Sequence, residues 1–198
     1  KQSEIRIGYL GIPRTHPDFY ATTVMNMQLG GNFSGDVNLV LREEKGFTYG
    51  ARTGFSGSRF PGTFTASSAV RSNATEESVT IFRDLMTEYR KPIDEADLEF
   101  TKNVTLKSNA RRFETLGALR SIITTIATYD LPFDYIMDEE DVVRNMTVES
   151  HNALAKKYIR PDEMVYLVVG DAETQLNGLT SLGFGDPVLL DKDGNPGE

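Results

Sequence analysis

At 198 residues, 39% hydrophobic and 25% charged, the chain has the length and balance of a single globular domain, or of a domain with a tail. Its formal net charge of -8 excludes broad binding along a nucleic-acid backbone, which needs a basic surface, and no apolar run approaches the roughly 18 residues of a membrane helix. There is no cysteine, which removes disulfide frameworks and thiolate metal sites from consideration.

The first strand is predicted over Glu4–Ile12, stopped by Pro13. A chain that opens in a strand reads as an excised or processed piece of something longer. Asp18 stands where a helix cap belongs, followed by Phe19, Val24, Met27 and Leu29 at helical spacing, and Gly30 and Gly31 end that run. A short helix from about Gly35 to Lys45 comes next, with Gly46 as its stop. From Phe47 the period changes to two, so Phe47, Tyr49, Ala51, Thr53 and Phe55 are expected on one side of a strand. Residues 56–62, rich in glycine, serine and proline, read as a hairpin loop into a second strand, Thr63–Val70.

The middle of the chain is helical. Asn73 or Thr75 is placed to cap a helix carrying Val79, Phe82, Met86 and Tyr89, and Asp94 to cap the next, through Leu98, Val104 and Leu106. Phe113, Leu116, Leu119, Ile122, Ile123 and Ile126 make the most apolar helix, which is expected to be the buried one. Asp138–Asp141 reads as a turn, Thr147 as the cap of a helix with His151, Leu154, Ala155 and Tyr158, and Met164–Val169 as a central strand. Residues 1–190 then form one domain, and 191–198, rich in Asp, Gly and Pro, a flexible tail. Strands that do not alternate singly with helices argue for an α+β fold, a two-layer sandwich in which helices pack on one face of a largely antiparallel twisted sheet.

Two stretches, Leu29-Gly30-Gly31-Asn32-Phe33 and Leu41-Arg42-Glu43-Glu44-Lys45-Gly46-Phe47-Thr48-Tyr49, resemble the second domain of the pitrilysin/insulinase family of zinc metallopeptidases. His16-Pro17-Asp18, Leu131-Pro132-Phe133-Asp134-Tyr135 and Val168-Val169-Gly170-Asp171 look like further stations of the same domain. The resemblance implies one half of a clamshell. Its partner, a homologous metal-bearing domain or subunit with an H-x-x-E-H motif, supplies zinc and the general base. This half supplies an arginine and, seven residues later, a tyrosine, which fall here on Arg42 and Tyr49. Tyr49 would act as the catalytic contact to the scissile carbonyl as it becomes an oxyanion, and Arg42 as a second contact to the peptide substrate. The rival implication is a non-catalytic structural or adaptor subunit of the same family.

Read without the resemblance, Arg42 is a helix-end cation paired with Glu43 or Glu44, and Tyr49 a core aromatic in line with Phe47 and Phe55. Zinc bound by this chain alone is not expected, because a catalytic site needs three ligands and only His16 and His151 are present, both read as surface or capping residues. Glu43 with Glu44 and the run Glu139-Glu140-Asp141 read as solvated carboxylates. For location the sequence type leans to the bacterial periplasm, with the cytoplasm as the alternative.

Overall fold

A computed structural model describes residues 1–197. Among them the strands β1 (Gln2–Leu10), β2 (Thr48–Phe55), β3 (Thr63–Arg71) and β4 (Val165–Val169) form one sheet in the order β2-β3-β1-β4, with every neighbouring pair antiparallel. The helices are α1 (Phe19–Asn26), α2 (Asp36–Asn38, continued as a wider π-type turn over Leu39–Glu44), α3 (Thr75–Glu88), α4 (Glu95–Asn109), α5 (Leu116–Tyr129), α6 (Tyr135–Asn145), α7 (Val148–Tyr158) and α8 (Ala172–Thr180). A second wide turn, Met27–Gly31, extends α1. The α+β reading holds.

Alternation along the central strands separates the two faces of the sheet. Ile5 and Ile7 of β1 and Phe64, Ala66 and Val70 of β3 are buried against Leu29, Leu41, Val79, Phe82 and Ala155 from the helical layer. The opposite face carries Glu4, Arg6, Arg52 and Thr65 on β1, β2 and β3, and exposed Val165, Leu167 and Val169 where β4 pairs beside β1. A smaller apolar cluster, Val24, Leu98, Val143 and Met146, joins α1, α4 and α6 behind the main core. Gly46 ends the α2 segment at a φ of 62°, the left-handed conformation expected of a helix stop.

Several sequence expectations are corrected. The apolar helix α5 has no buried residue: Leu116 is 86% exposed and Ile123 66%. Its C-terminal end is held by Arg59 Nε donating to the Thr128 carbonyl at 2.7 Å and the Tyr129 hydroxyl to the Gly57 carbonyl at 3.3 Å. An apolar stripe records that a helix has a face to cover, and this one is not covered by the described residues. The strand β4 lies at the sheet edge, not its centre, and Val165 and Val169, opposite Gly8 and Glu4, are exposed on the same face as Glu4 and Arg6. Asp138–Asp141 is no turn but part of α6, where Glu139 is buried and gripped by Arg14 (2.5 Å) and Arg112 (2.7 Å). Removing both arginines would strand a buried charge.

The caps divide. Asp94 accepts from the Asp97 amide and Thr147 from the Ser150 amide, as expected. Neither Asn73 nor Thr75 caps α3: Thr75 donates to the Ser72 carbonyl. The Asp18 carboxylate likewise leaves its own helix and takes hydrogen bonds from Lys157 (2.7 Å) and the Tyr158 hydroxyl (2.6 Å), which hold its pKa down. In the segment expected to be a flexible tail, Leu190 bridges to Pro196 and the Asp191 carboxylate accepts from the Asp193 and Asn195 amides; Glu198 lies outside the described residues.

His151 is fully buried, not a surface residue. Its Nε2 lies 3.3 Å from the Tyr89 hydroxyl, which itself donates to the Met25 carbonyl at 2.5 Å. Because the Tyr89 proton is committed to Met25, the imidazole donates from Nε2, and Nδ1 is left buried without a partner. Burial lowers the His151 pKa from its ordinary value.

Two predictions follow from this packing. Phe82→Ala, in the middle of the core, should cost about 3–5 kcal/mol in urea denaturation, whereas Ile123→Lys on α5 should change stability by less than about 0.5 kcal/mol. The second concerns acid. A histidine whose folded pKa is depressed stabilises the fold above its unfolded pKa, and that stability is lost as pH falls below about 6.5. Asp36 works oppositely in the same range, since burial and then the Asp97 charge raise its carboxyl to about 6. Comparing wild type with His151→Gln cancels the Asp36 contribution: the urea midpoint of the wild type should drop more between pH 7 and 5 than that of the variant.

Candidate functional site

The feature that defines the site is a bulge at the start of β2. Thr48 pairs with Val70 and Ala51 with Ser68, so Tyr49 and Gly50 together stand opposite Ala69. The extra residue reverses the alternation: Ala51 and Thr53 remain buried, but Tyr49 leaves their face and is 90% exposed. Tyr49 is therefore not the core aromatic that its in-line spacing with Phe47 and Phe55 implies.

A bulge disrupts the ladder and leaves backbone groups to be satisfied elsewhere. Side chains do so here. Thr48 Oγ1 donates to the Ala69 carbonyl at 2.7 Å and accepts from the Gly50 amide at 3.0 Å. Ser68 Oγ lies 3.0 Å from the Gly50 carbonyl and 2.9 Å from Thr48 Oγ1. On the outer edge of β2, Asn38 Oδ1 accepts from the Ala51 amide at 3.0 Å, and two residues on, Asn26 Nδ2 donates to the Thr53 carbonyl at 3.0 Å. Asn38 and Asn26 are 2% and 3% exposed, so the helical layer closes this part of the strand edge with two buried amides.

Asn38 also donates through Nδ2 to the Phe33 carbonyl at 2.7 Å, which ties the loop after α1 to the bulged strand. That loop turns tightly. A Cβ on Gly35 would lie 2.7 Å from Gly30 Cα, and one on Gly30 would lie 2.8 Å from the Thr53 amide nitrogen. The result is a groove of about 510 Å³ on the open side of the sheet. One wall is the loop Gly30–Phe33. The floor is Glu4 and Arg6 of β1 with Ser67 and Ala69 of β3, and Tyr49 and Arg52 of β2 stand beside it. Glu4 and Arg6 are paired with each other at 2.7 Å.

Arg42 does not itself line this groove. Its guanidinium lies 4.4 Å over the ring of Phe33, which does and which is 66% exposed. The ion pair with Glu43 inferred from sequence alone is present at 3.5 Å but lacks hydrogen-bond geometry, leaving Arg42 Nη1 a buried donor without an acceptor. Among the described residues no hydrogen bond joins Arg42 to Tyr49. They meet at the groove indirectly, Arg42 through Phe33 and Tyr49 through the bulge.

Sequence reasoning did not single out Phe33 as a groove wall, nor Thr48, Ser68 and Asn38 as supports. Phe33 carried a signal in the Gly-Gly-Asn-Phe loop. The supports carried none, because their partners are backbone groups exposed by a bulge that no local pattern announces.

No metal site emerges. Among the described residues no group of three or more His, Cys, Asp or Glu side chains is placed to hold an ion. His151 is occupied with Tyr89, and His16 Nδ1 accepts from the Asp18 amide at 3.0 Å. These residues do not fit a catalytic zinc.

Among proteins of curated function none matches the chain. Its fold is similar to a peptidase M16 inactive-domain protein from Pseudomonas fluorescens, with a TM-score of 0.76 at 27% identity over 84% of this chain and 40% of that one. It is similar also to a protease from Helicobacter pylori (TM-score 0.74, 14% identity, 86% of this chain and 41% of that one). A third likeness is to the inactive peptidase domain of a candidate zinc protease from Bordetella parapertussis (TM-score 0.71, 12% identity, 86% of this chain and 93% of that one). The chain thus spans about 40% of the length of the first two and nearly all of the third. The sequence model described as the peptidase M16 inactive domain matches residues 1–105, a stretch that contains the whole of the groove, Arg42 and Tyr49. With more than half its length matched, the chain belongs to the peptidase M16 inactive-domain family.

Proposed function

We propose that this chain is the substrate-binding half of a zinc-dependent endopeptidase that hydrolyses peptides or small unfolded proteins inside a two-part chamber. The observation that carries the reading is the bulge, which spends one residue of β2 to lift a phenol out of the core and stand it beside an open groove. An exposed tyrosine there is a hydrogen-bond donor with no partner of its own, suited to a carbonyl oxygen that gains negative charge during attack by water. Arg42 supplies the second donor. Its side chain is 33% exposed with the guanidinium 4.4 Å from the Phe33 ring, and its accessible guanidinium nitrogens, not the buried Nη1, are matched to a neighbouring substrate carbonyl or to support of the Tyr49 hydroxyl.

Metal, attacking water and general base belong to a homologous metal-bearing domain or subunit, a reading supported by the lack of a metal-holding group among the described residues. The division of labour is chemically economical. One half generates the nucleophile, and the facing half binds the peptide and neutralises the oxyanion. The rival reading is a non-catalytic structural or adaptor subunit, and the observation in its favour is the exposed apolar face of α5, which suits a lasting protein contact.

The test is a cleavage assay of a quenched peptide by this chain joined to its metal-bearing half. Tyr49→Phe should lower kcat/KM about 100-fold or more while zinc content is unchanged, as loss of one oxyanion donor does. Wild-type cleavage by the variant would remove the role of Tyr49. Absence of any cleavage by the joined wild type would favour the adaptor.

A further inference from the structure

Resting on the reading of Tyr49 just given, we propose that Thr48, Ser68 and Asn38 are positioning residues for that phenol: Thr48 and Ser68 take up the backbone groups displaced by the bulge, Asn38 closes the strand edge beside it, and together they decide which face of the sheet Tyr49 occupies. In an unbulged strand Tyr49 would share the face of Ala51 and Thr53, which is the core face, and Thr48 would point outward. The bulge exchanges them. Thr48 pairs opposite buried Val70, and Tyr49 stands in solvent.

Thr48 and Ser68 take up the groups displaced by the extra residue, and Asn38 takes up an amide on the outer edge of the strand next to it. The Gly50 amide goes to Thr48 Oγ1 (3.0 Å) and the Ala69 carbonyl receives the Thr48 proton (2.7 Å). The Gly50 carbonyl faces Ser68 Oγ (3.0 Å), and the Ala51 amide meets Asn38 Oδ1 (3.0 Å). The Ala51 amide is buried, so leaving it unpaired would cost about 1–3 kcal/mol. Ser68 and Asn38 are almost wholly buried, so water cannot stand in freely for either. Asn38 has a second effect. Through the Phe33 carbonyl it holds the ring against which Arg42 lies, so one amide sets the spacing of both proposed donors.

Thr48→Val keeps the side-chain shape and deletes the hydroxyl, whereas Thr48→Ser keeps the hydroxyl. In the joined enzyme Thr48→Val should lower kcat about 10-fold or more with little change in KM, and Thr48→Ser should restore cleavage to within about threefold of wild type. Placed on Tyr49→Phe, Thr48→Val should cause no further loss, because the residue it positions is already disabled. A loss of equal size on both backgrounds, or none on either, overturns the proposal. If Thr48→Val fails to fold, Ser68→Ala, which removes the hydroxyl that faces the Gly50 carbonyl and Thr48 Oγ1, takes its place in the same cycle. A second readout separates this inference from the reading beneath it. Nitration of Tyr49 by tetranitromethane, read by peptide mass in the intact joined protein, should fall in Thr48→Val and recover in Thr48→Ser. Wild-type cleavage by Tyr49→Phe with nitration still governed by residue 48 would sink the catalytic reading and leave the positioning claim standing. Unchanged nitration in Thr48→Val would sink the positioning claim alone.

Discussion

A buried amide or carbonyl has to be paired, and at an edge strand half of those groups have no neighbouring strand to pair with. The arrangement around β2 is a response to that demand. Asn26 and Asn38 reach out of the helical layer to stand in for a missing strand at Thr53 and Ala51, and Thr48 and Ser68 absorb what the bulge displaces. Once those pairs are made the strand has no reason to straighten. The shape of the groove, the exposure of Tyr49 and the tether to the Phe33 loop are consequences of the same accounting.

The two sides of the sheet divide the labour that follows. The core side is conventional packing, with Ile5, Ile7, Phe64 and Phe82 fully buried, and it supplies a rigid base. The open side carries paired charges such as Glu4 with Arg6, small residues such as Ala69, and the groove between them.

Two apolar elements stand apart from this economy. The helix α5 exposes Leu116 and Ile123, and β4 exposes Val165 and Val169, although both runs have the composition of buried structure. Amphipathic patterning states that a face wants cover without saying who supplies it. The buried ion network of Arg14, Glu139 and Arg112 has the reverse character: a charge run that reads as solvent-facing turns inward because two arginines, distant in sequence, arrive at one carboxylate. His151 is a further case, a polar residue in a helix pattern whose burial follows from where α7 meets Tyr89 of α3.

By itself the sequence determined the class of fold, the placing of the four strands along the chain, the Gly46 stop, the caps at Asp94 and Thr147 and the segment in which Arg42 and Tyr49 lie, because these depend on local period, turn chemistry and residue spacing. It also pointed to the family through glycines and charged residues close together in the chain. Tertiary structure alone decided that Tyr49 faces outward, that Arg42 reaches the groove by way of Phe33, that β4 is an edge and that α5 is uncovered. Each of these turns on a pairing between residues far apart in sequence, such as Thr48 with Ala69 or Asn38 with Ala51, or on the lack of one. A period-two pattern carries no mark of the single extra residue that reverses it.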